Sequence, residues 1–234
     1  MLPPMRDRHV LITGGSGGLG TAVTALLLDR GGQVTVPVVD DRQIQYLRDA
    51  LGDRADQVKT PQADLRDEAS VQAVIDGMER VDVAVHLVGG FAMGPTDTFA
   101  VEDLRGQLEL NVVTAFLVLK HSLRRMKESG YGRIVTVGSR AAVEPAGQLA
   151  AYGAAKAAVI ALTKSIAEET KDIEITANCV LPSVIDTPAN RQAMGDTDAH
   201  KWVTPQRLAE AIAYLGSEAA GDLRGTTLPV YGRV

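Results

Sequence analysis

The sequence predicts an α/β protein built on a single doubly wound, parallel sheet with helices on both faces. Three observations predict it. Short β-branched runs alternate with stretches of helical periodicity along the chain, the pattern of repeated βαβ units. A glycine-rich turn, Thr13-Gly14-Gly15-Ser16-Gly17-Gly18-Leu19-Gly20, joins the first run to the first helical stretch. The composition, 45% hydrophobic but only 4% aromatic with 23 glycines, suits an Ala/Val/Leu-rich layered protein rather than a disordered or fibrous one.

The first strand is His9–Thr13, followed by an amphipathic helix near Leu19–Arg30. Alternating valines mark the second strand, Gln33–Val38, and a helix near Gln43–Leu51 comes after it. Val58–Ala63 reads as the third strand and Glu68–Glu79 as the next helix. Valines at every second position make Val81–Leu87 the fourth strand, before a long helical stretch, Val101–Lys127. Arg133–Val137 and Glu174–Val180 are the fifth and sixth strands, separated by an Ala-rich helix near Ala150–Thr170. Pro205 opens a helix to Leu215, as proline does well in a first helical turn, and Thr226–Val230 is the last strand. Seven strands and six helices fill residues 1–234 as one domain, with no internal repeat and no low-complexity linker.

Two segments break this rhythm. Gly89–Phe99 follows the fourth strand and Pro182–Thr204 the sixth, so both emerge at the carboxyl ends of strands, where open α/β sheets bind ligands. They are expected to wall a substrate pocket, with a short mobile lid around residues 183–204.

Bulk properties narrow the partners. The net charge of −5 with no basic block argues against nucleic acid. The apolar stretches are short and interrupted by charge, so no membrane span is expected, and Met1–Arg6 lacks the apolar core of a secretion signal. The single cysteine, Cys179, excludes an internal disulfide and suits the reducing cytoplasm. It sits in the apolar run Ile175–Leu181 and reads as an inert buried thiol.

The glycine turn stands between a strand and a helix, as phosphate binding requires. Its glycines permit a tight turn and close approach of the backbone to a pyrophosphate, while the helix N-terminus supplies free N–H groups and partial positive charge. Farther on, Tyr152 and Lys156 are four apart in a helical stretch and share a face. A free phenol titrates too high for easy proton exchange at neutral pH, and a nearby ammonium is expected to lower it. Ser139, thirteen residues before Tyr152, ends the fifth strand at the ligand-binding edge. No metal-ligand cluster stands out.

These features resemble the short-chain dehydrogenase/reductase family, and the resemblance spans essentially the whole chain. The turn has the spacing Thr-Gly-x-x-x-Gly-x-Gly, and Ser139, Tyr152-Gly153-Ala154-Ala155-Lys156 and Asn111 fall where the family has its catalytic groups. The resemblance implies a Rossmann-type sheet of about seven strands in the order 3-2-1-4-5-6-7. It implies NAD(P)-dependent hydride transfer between nicotinamide and a carbonyl or secondary alcohol. Tyr152 would be the general acid/base, Ser139 would hold the substrate oxygen, Lys156 would bind the nicotinamide ribose and tune Tyr152, and Asn111 would hold a proton-relay water. Gly14, Ser16, Gly17, Gly18, Leu19 and Gly20 would wrap the cofactor, with Asp64-Leu65 at the adenine and Gly89 passing beneath it. In Leu181–Pro188, Pro182, Ile185 and Thr187 would face the carboxamide and pyrophosphate. Relatives pair long helices into dimers and tetramers, and the stripe Leu104, Leu108, Val112, Phe116 and Leu119 predicts a homo-oligomer, a tetramer or dimer.

The chain departs from the family at three places. Val88-Gly89-Gly90, preceded by His86, replaces the usual Asn-Asn-Ala-Gly, and Ser183 stands where Gly follows Pro182. The cofactor selector is neither the acid of NAD enzymes nor the arginine of NADP enzymes: Val38 and Val39 occupy it, ahead of Asp40-Asp41-Arg42. Asp40 and Asp41 would repel an NADP phosphate while Arg42 could attract one, so the cofactor is NAD(H) or NADP(H), with a lean to NAD(H). The lid, with Asp186–Met194 and Trp202, resembles that of the dihydropteridine reductases, so reduction of a quinonoid dihydropterin stands as an alternative, with Trp202 or Phe91 stacking on the heterocycle. Ser139, which those reductases lack, favours a carbonyl. A catalytically vestigial dinucleotide-binding protein is the alternative from another class.

Overall fold

The structure, a computed structural model, describes residues 5–234; the first four residues, assigned from sequence to the same domain, lie outside the described residues. One parallel sheet runs through the molecule in the order β2-β1-β3-β4-β5-β6. Its strands are β1 (His9–Thr13), β2 (Gln33–Thr35), β3 (Val83–His86), β4 (Tyr131–Val137), β5 (Glu174–Pro182) and β6 (Thr227–Val230). The expected third strand does not form a continuous ladder. Residues 58–63 run parallel to β2 on its outer side, joined by isolated bridges at Thr35–Lys59 and Val38–Gln62. Two prolines explain the interruption: Pro37 ends β2 early and Pro61 sits in the neighbouring segment, and neither can donate to a ladder. With that segment included, the spatial order is the expected one.

The central strands β1, β3, β4 and β5 are buried on both faces, and successive residues feed opposite cores. Val10, Ile12, Val83 and Val85 join one cluster with Leu27, Leu47, Leu208 and Ile212. Those last four come from α1 (Gly20–Asp29), α2 (Asp41–Leu51) and α8 (Pro205–Leu215). Leu11, Ala84 and Ile134 join the other, with side chains from α3 (Glu68–Asp76), α5 (Thr114–Ser129) and α6 (Ala150–Glu169).

The long stretch predicted as one helix is interrupted. α4 (Val101–Leu108) passes into a π-turn, Glu109–Val113, before α5 begins. The expected apolar stripe faces mostly outward: Leu108 and Phe116, on either side of the π-turn, are exposed and Leu104 and Val112 half-buried, while Leu119, three residues on in α5, turns into the core. Gly130, at φ 73°, ends α5 in the left-handed conformation that favours glycine.

The lid contains its own short helix, α7 (Pro188–Met194). Ile185 pairs with Val203 to close it into a loop, and Trp202 is buried beneath. The tail crosses this base, with Arg233 N–H donating to the Lys201 carbonyl at 2.8 Å.

Candidate active site

The loops leaving β1, β3, β4 and β5 converge at the carboxyl edge of the sheet. At β1 the turn is closed by Gly17 N–H donating to Gly14 O at 3.1 Å. Glycine is required here by space: a Cβ on Gly20 would lie 2.0 Å from Gly14 O, and one on Gly14, itself at φ +73°, would lie 3.1 Å from Val88 N. The turn therefore packs directly on the end of β3. A Cβ on Gly18 would lie 3.0 Å from Thr187 Cγ2, so the segment after β5 meets the same turn. Ser16, Gly17 and Leu19 complete this turn between β1 and α1.

Thr187 caps α7 by accepting from Asn190 N–H at 3.3 Å, with Pro188 in the first turn. Asn190 Nδ2 donates to Ile185 O at 2.8 Å and fixes the backbone expected to meet a carboxamide. Pro182, the last residue of β5, is registered against Val230. Where Ser183 replaces glycine, its hydroxyl donates to Tyr231 O at 2.6 Å, tying the turn to the tail.

The proton-transfer candidates lie one strand over. Ser139 follows β4, is buried, and its Oγ accepts from Ala141 N–H at 3.2 Å, leaving its own proton to donate. Tyr152 and Lys156 project from the first turns of α6. Burial pushes the Tyr152 phenol up, and a side-chain hydrogen bond with Ser139 counters it. The expected lowering by Lys156 is not seen. The Lys156 ammonium instead donates to the Val137 carbonyl at 3.0 Å, and burial brings it down to about 8, with Cys179 opposing.

Asn111 is fully buried in the π-turn and holds Gly90 from both sides. Its Oδ1 accepts from Gly90 N–H at 3.2 Å, and its Nδ2 donates to Gly90 O at 3.1 Å and to Gln107 O at 3.0 Å. A relay water there would share the amide with these bonds. Gly89 is wedged between the same groups: a Cβ would stand 2.5 Å from Asn111 Oδ1 and 2.9 Å from Lys156 Nζ. Gln107, one helical turn before Asn111, is a supporting residue that the sequence reading missed, and the four-residue spacing was the available signal.

His86 is a buried structural histidine. Thr13 Oγ1 lies 2.8 Å from its Nδ1 and Thr114 Oγ1 3.5 Å from its Nε2. Burial and then the Lys156 charge drive its pKa down to about 3, so it is neutral throughout the physiological range. The two hydroxyls hold the ring between the end of β1 and the start of α5. Phe91 stands edge-on to Tyr152, ring centroids 5.0 Å apart at 72°, a contact not foreseen from sequence. Trp202 is only 8% exposed and serves as the lid's buried peg rather than a stacking platform.

On the expected adenine side, Leu65 is buried and the Asp64 carboxylate is held by Arg66 at 2.8 Å, which lowers its pKa. Asp40 accepts from Gln43 N–H at the start of α2 and takes two N–H bonds from Arg42, at 3.0 and 2.6 Å. A separate groove of about 630 Å³, lined by His9, Val34, Lys59 and Met78 among others, lies at the amino edge of the sheet, away from these groups. No cluster able to hold a metal ion occurs among the described residues, and no helix among them is long and apolar enough to cross a membrane.

Residues 8–198 match the family model described as short chain dehydrogenase. The chain belongs to the short-chain dehydrogenase/reductase family. It is 32% identical over 240 residues to the 3-oxoacyl-[acyl-carrier-protein] reductase of Vibrio cholerae serotype O1, covering 97% of each chain. It is 34% identical over 247 residues to the cis-4-hydroxycyclohexanecarboxylate dehydrogenase of Sinomonas cyclohexanicum, covering 97% of this chain and 96% of that one. Among solved structures, levodione reductase superimposes with a TM-score of 0.89 at 27% identity over 97% of both chains. The protein is therefore an NAD(P)-dependent oxidoreductase of the short-chain type, working between carbonyl and alcohol.

Proposed function

We propose that this short-chain oxidoreductase prefers NAD(H) and interconverts a carbonyl compound and its alcohol, with Tyr152 as general acid/base. The observation that carries the reading is the hydrogen bond between Ser139 and Tyr152, on the same helix as the Lys156 that meets Asn111 at the Gly89 backbone. The glycine turn, the Gly18–Thr187 approach and the Gly89 passage fit an extended dinucleotide, because close packing keeps each free of side chains and leaves backbone to meet the pyrophosphate. When bound, the nicotinamide supplies the hydride to the carbonyl carbon, or takes it back from the alcohol.

In reduction, Ser139 turns its hydroxyl hydrogen bond from Tyr152 to the substrate oxygen. Tyr152 releases its phenolic proton to that oxygen, so one hydride and one proton convert C=O into CH–OH. Burial keeps Tyr152 protonated at neutral pH, which readies it as an acid. In oxidation it starts as phenolate, and the hydrogen bond from Ser139 is what stabilises that charge. Asn111 holds the Gly90 backbone at both its N–H and its carbonyl, with any relay water at its amide.

The NAD(H) preference is supported by Asp40, which occupies Arg42 in two hydrogen bonds and leaves carboxylates where a ribose phosphate would need cations. Exposed Val101, Leu108 and Phe116 on α4 and α5 support a homo-oligomer, a dimer or tetramer. A reducing cytoplasm suits the buried free Cys179. The function is tested by following NADH formation with a panel of neutral secondary alcohols. Turnover with at least one alcohol, faster with NAD than with NADP, is expected; cofactor binding without turnover of any alcohol or ketone would leave only the vestigial reading.

A further inference from the structure

The loops that leave β3, β4 and β5 form the open side of the site, and their side chains define what it can accept. Phe91 and Met93 follow β3, Val143 follows Ser139, and Met194 ends α7; all four are exposed apolar side chains, with Phe91 at 61% and Met194 at 60%. Every arginine and lysine on these three segments is already paired. Arg191 makes two hydrogen bonds to Asp186, Arg140 bonds Glu144 at 2.8 Å and the Val234 carbonyl at 2.9 Å, and Lys201 bonds Asp198 at 2.7 Å. A substrate carboxylate would have to compete with one of these carboxylates for its cation.

Phe91 is held where it can act. Gly90, just before it, is gripped at both its N–H and its carbonyl by Asn111. Three residues later, Gly94 N–H donates to Gln148 O at 2.9 Å, just ahead of α6. Between these anchors the ring meets Tyr152 edge to face, within the preferred range for aromatic pairs. More than half of Phe91 stays open to solvent although it touches the proposed proton donor, so its free face is available to a molecule whose oxygen reaches Tyr152.

We propose that Phe91 is the specificity-determining wall of this site and that it selects neutral, apolar cyclic ketones and the matching alcohols over substrates carrying a carboxylate. The inference rests on the carbonyl/alcohol reading above. The ring of such a substrate packs against the open face of Phe91 while its oxygen lies between Ser139 and Tyr152. Removing the phenyl group takes away that apolar contact for a six-membered ring but not for a two-carbon chain.

The test is kcat/KM with NADH for cyclohexanone, 4-oxocyclohexanecarboxylate and 2-butanone, in the wild type, Phe91→Ala and Phe91→Leu, with matched melting curves. The wild type is expected to prefer cyclohexanone to the carboxylate by at least about tenfold, the scale of discrimination a pocket gives for one unfavourable group. Phe91→Ala is expected to lower the ratio of cyclohexanone to 2-butanone about tenfold, with Phe91→Leu between the two. A ratio unchanged within about twofold, or preference for the carboxylate, overturns the inference and leaves the oxidoreductase reading standing. No wild-type turnover of any of the three ketones, with NADH bound, overturns both.

Discussion

Replacing Gly89 by alanine perturbs the site at its tightest point. The added methyl would stand 2.5 Å from Asn111 Oδ1 and 2.9 Å from Lys156 Nζ. Ordinary carbon–polar contacts need about 3.3 Å or more, so the amide must retreat by roughly 0.8 Å or the backbone must move by a similar distance. Neither group is free to yield. Asn111 is tied to Gly90 and Gln107 through three bonds, and Lys156 is tied to Val137 O. Overpacking of this kind costs about 1–3 kcal/mol of stability, a fall of several degrees in melting temperature for a chain of this size. The catalytic cost is larger, since a misplacement near 1 Å can lower turnover about a hundredfold. Steady-state kinetics on a neutral ketone, beside a thermal melt, separate the two effects. Gly106→Ala is the control: nothing lies within 4 Å of its added methyl, and the helix there should gain about 0.5–1 kcal/mol. A Gly89→Ala enzyme with turnover within about twofold of the wild type would refute the packing argument.

Lys156 titrates near 8 in the cofactor-free protein, below the ordinary lysine value of 10.5. Its ammonium is therefore lost as pH rises through about 8, and NADH affinity measured by fluorescence should weaken there; equal affinity at about pH 7 and pH 9.5 would count against it. The unfolded chain holds that proton up to the higher value, so this group's burial cost is relieved and its contribution to stability rises between about pH 8 and 10.5. Asp40→Ala should free Arg42 and raise kcat/KM for NADP relative to NAD about tenfold; an unchanged ratio would remove Arg42 from the account of preference. His86, with its pKa depressed to about 3, makes stability fall as pH drops from about 6.5 towards 3, and His86→Asn should flatten that part of the melting-temperature profile relative to wild type.

Much of this was legible in the sequence because local chemistry and tertiary use agree. The glycine turn had to join β1 to α1, and Ser139 had to end a strand, so their meeting with Tyr152 and Lys156 follows from the alternation of elements. The edge of the sheet was harder to read: Val58–Ala63 has strand-like residues, but Pro37 and Pro61 reduce its pairing with β2 to isolated bridges. The π-turn at Glu109–Val113 left no periodic mark within an apolar helical run, yet it is the turn that carries the buried Asn111. The tuning of Tyr152 was misjudged for a related reason. Spacing of four places Lys156 on the same helix face, but a long side chain chooses its partner in three dimensions, and Val137 O is that partner. The Phe91–Tyr152 contact depends on a loop with no period at all.

The central claim is that Tyr152 transfers the proton that accompanies hydride transfer. Turnover of a neutral ketone with NADH should fall at least a hundredfold, about the lower end of a general acid's contribution, in Tyr152→Phe, with NADH binding and melting temperature close to wild type. Comparable turnover in the two proteins would contradict the account.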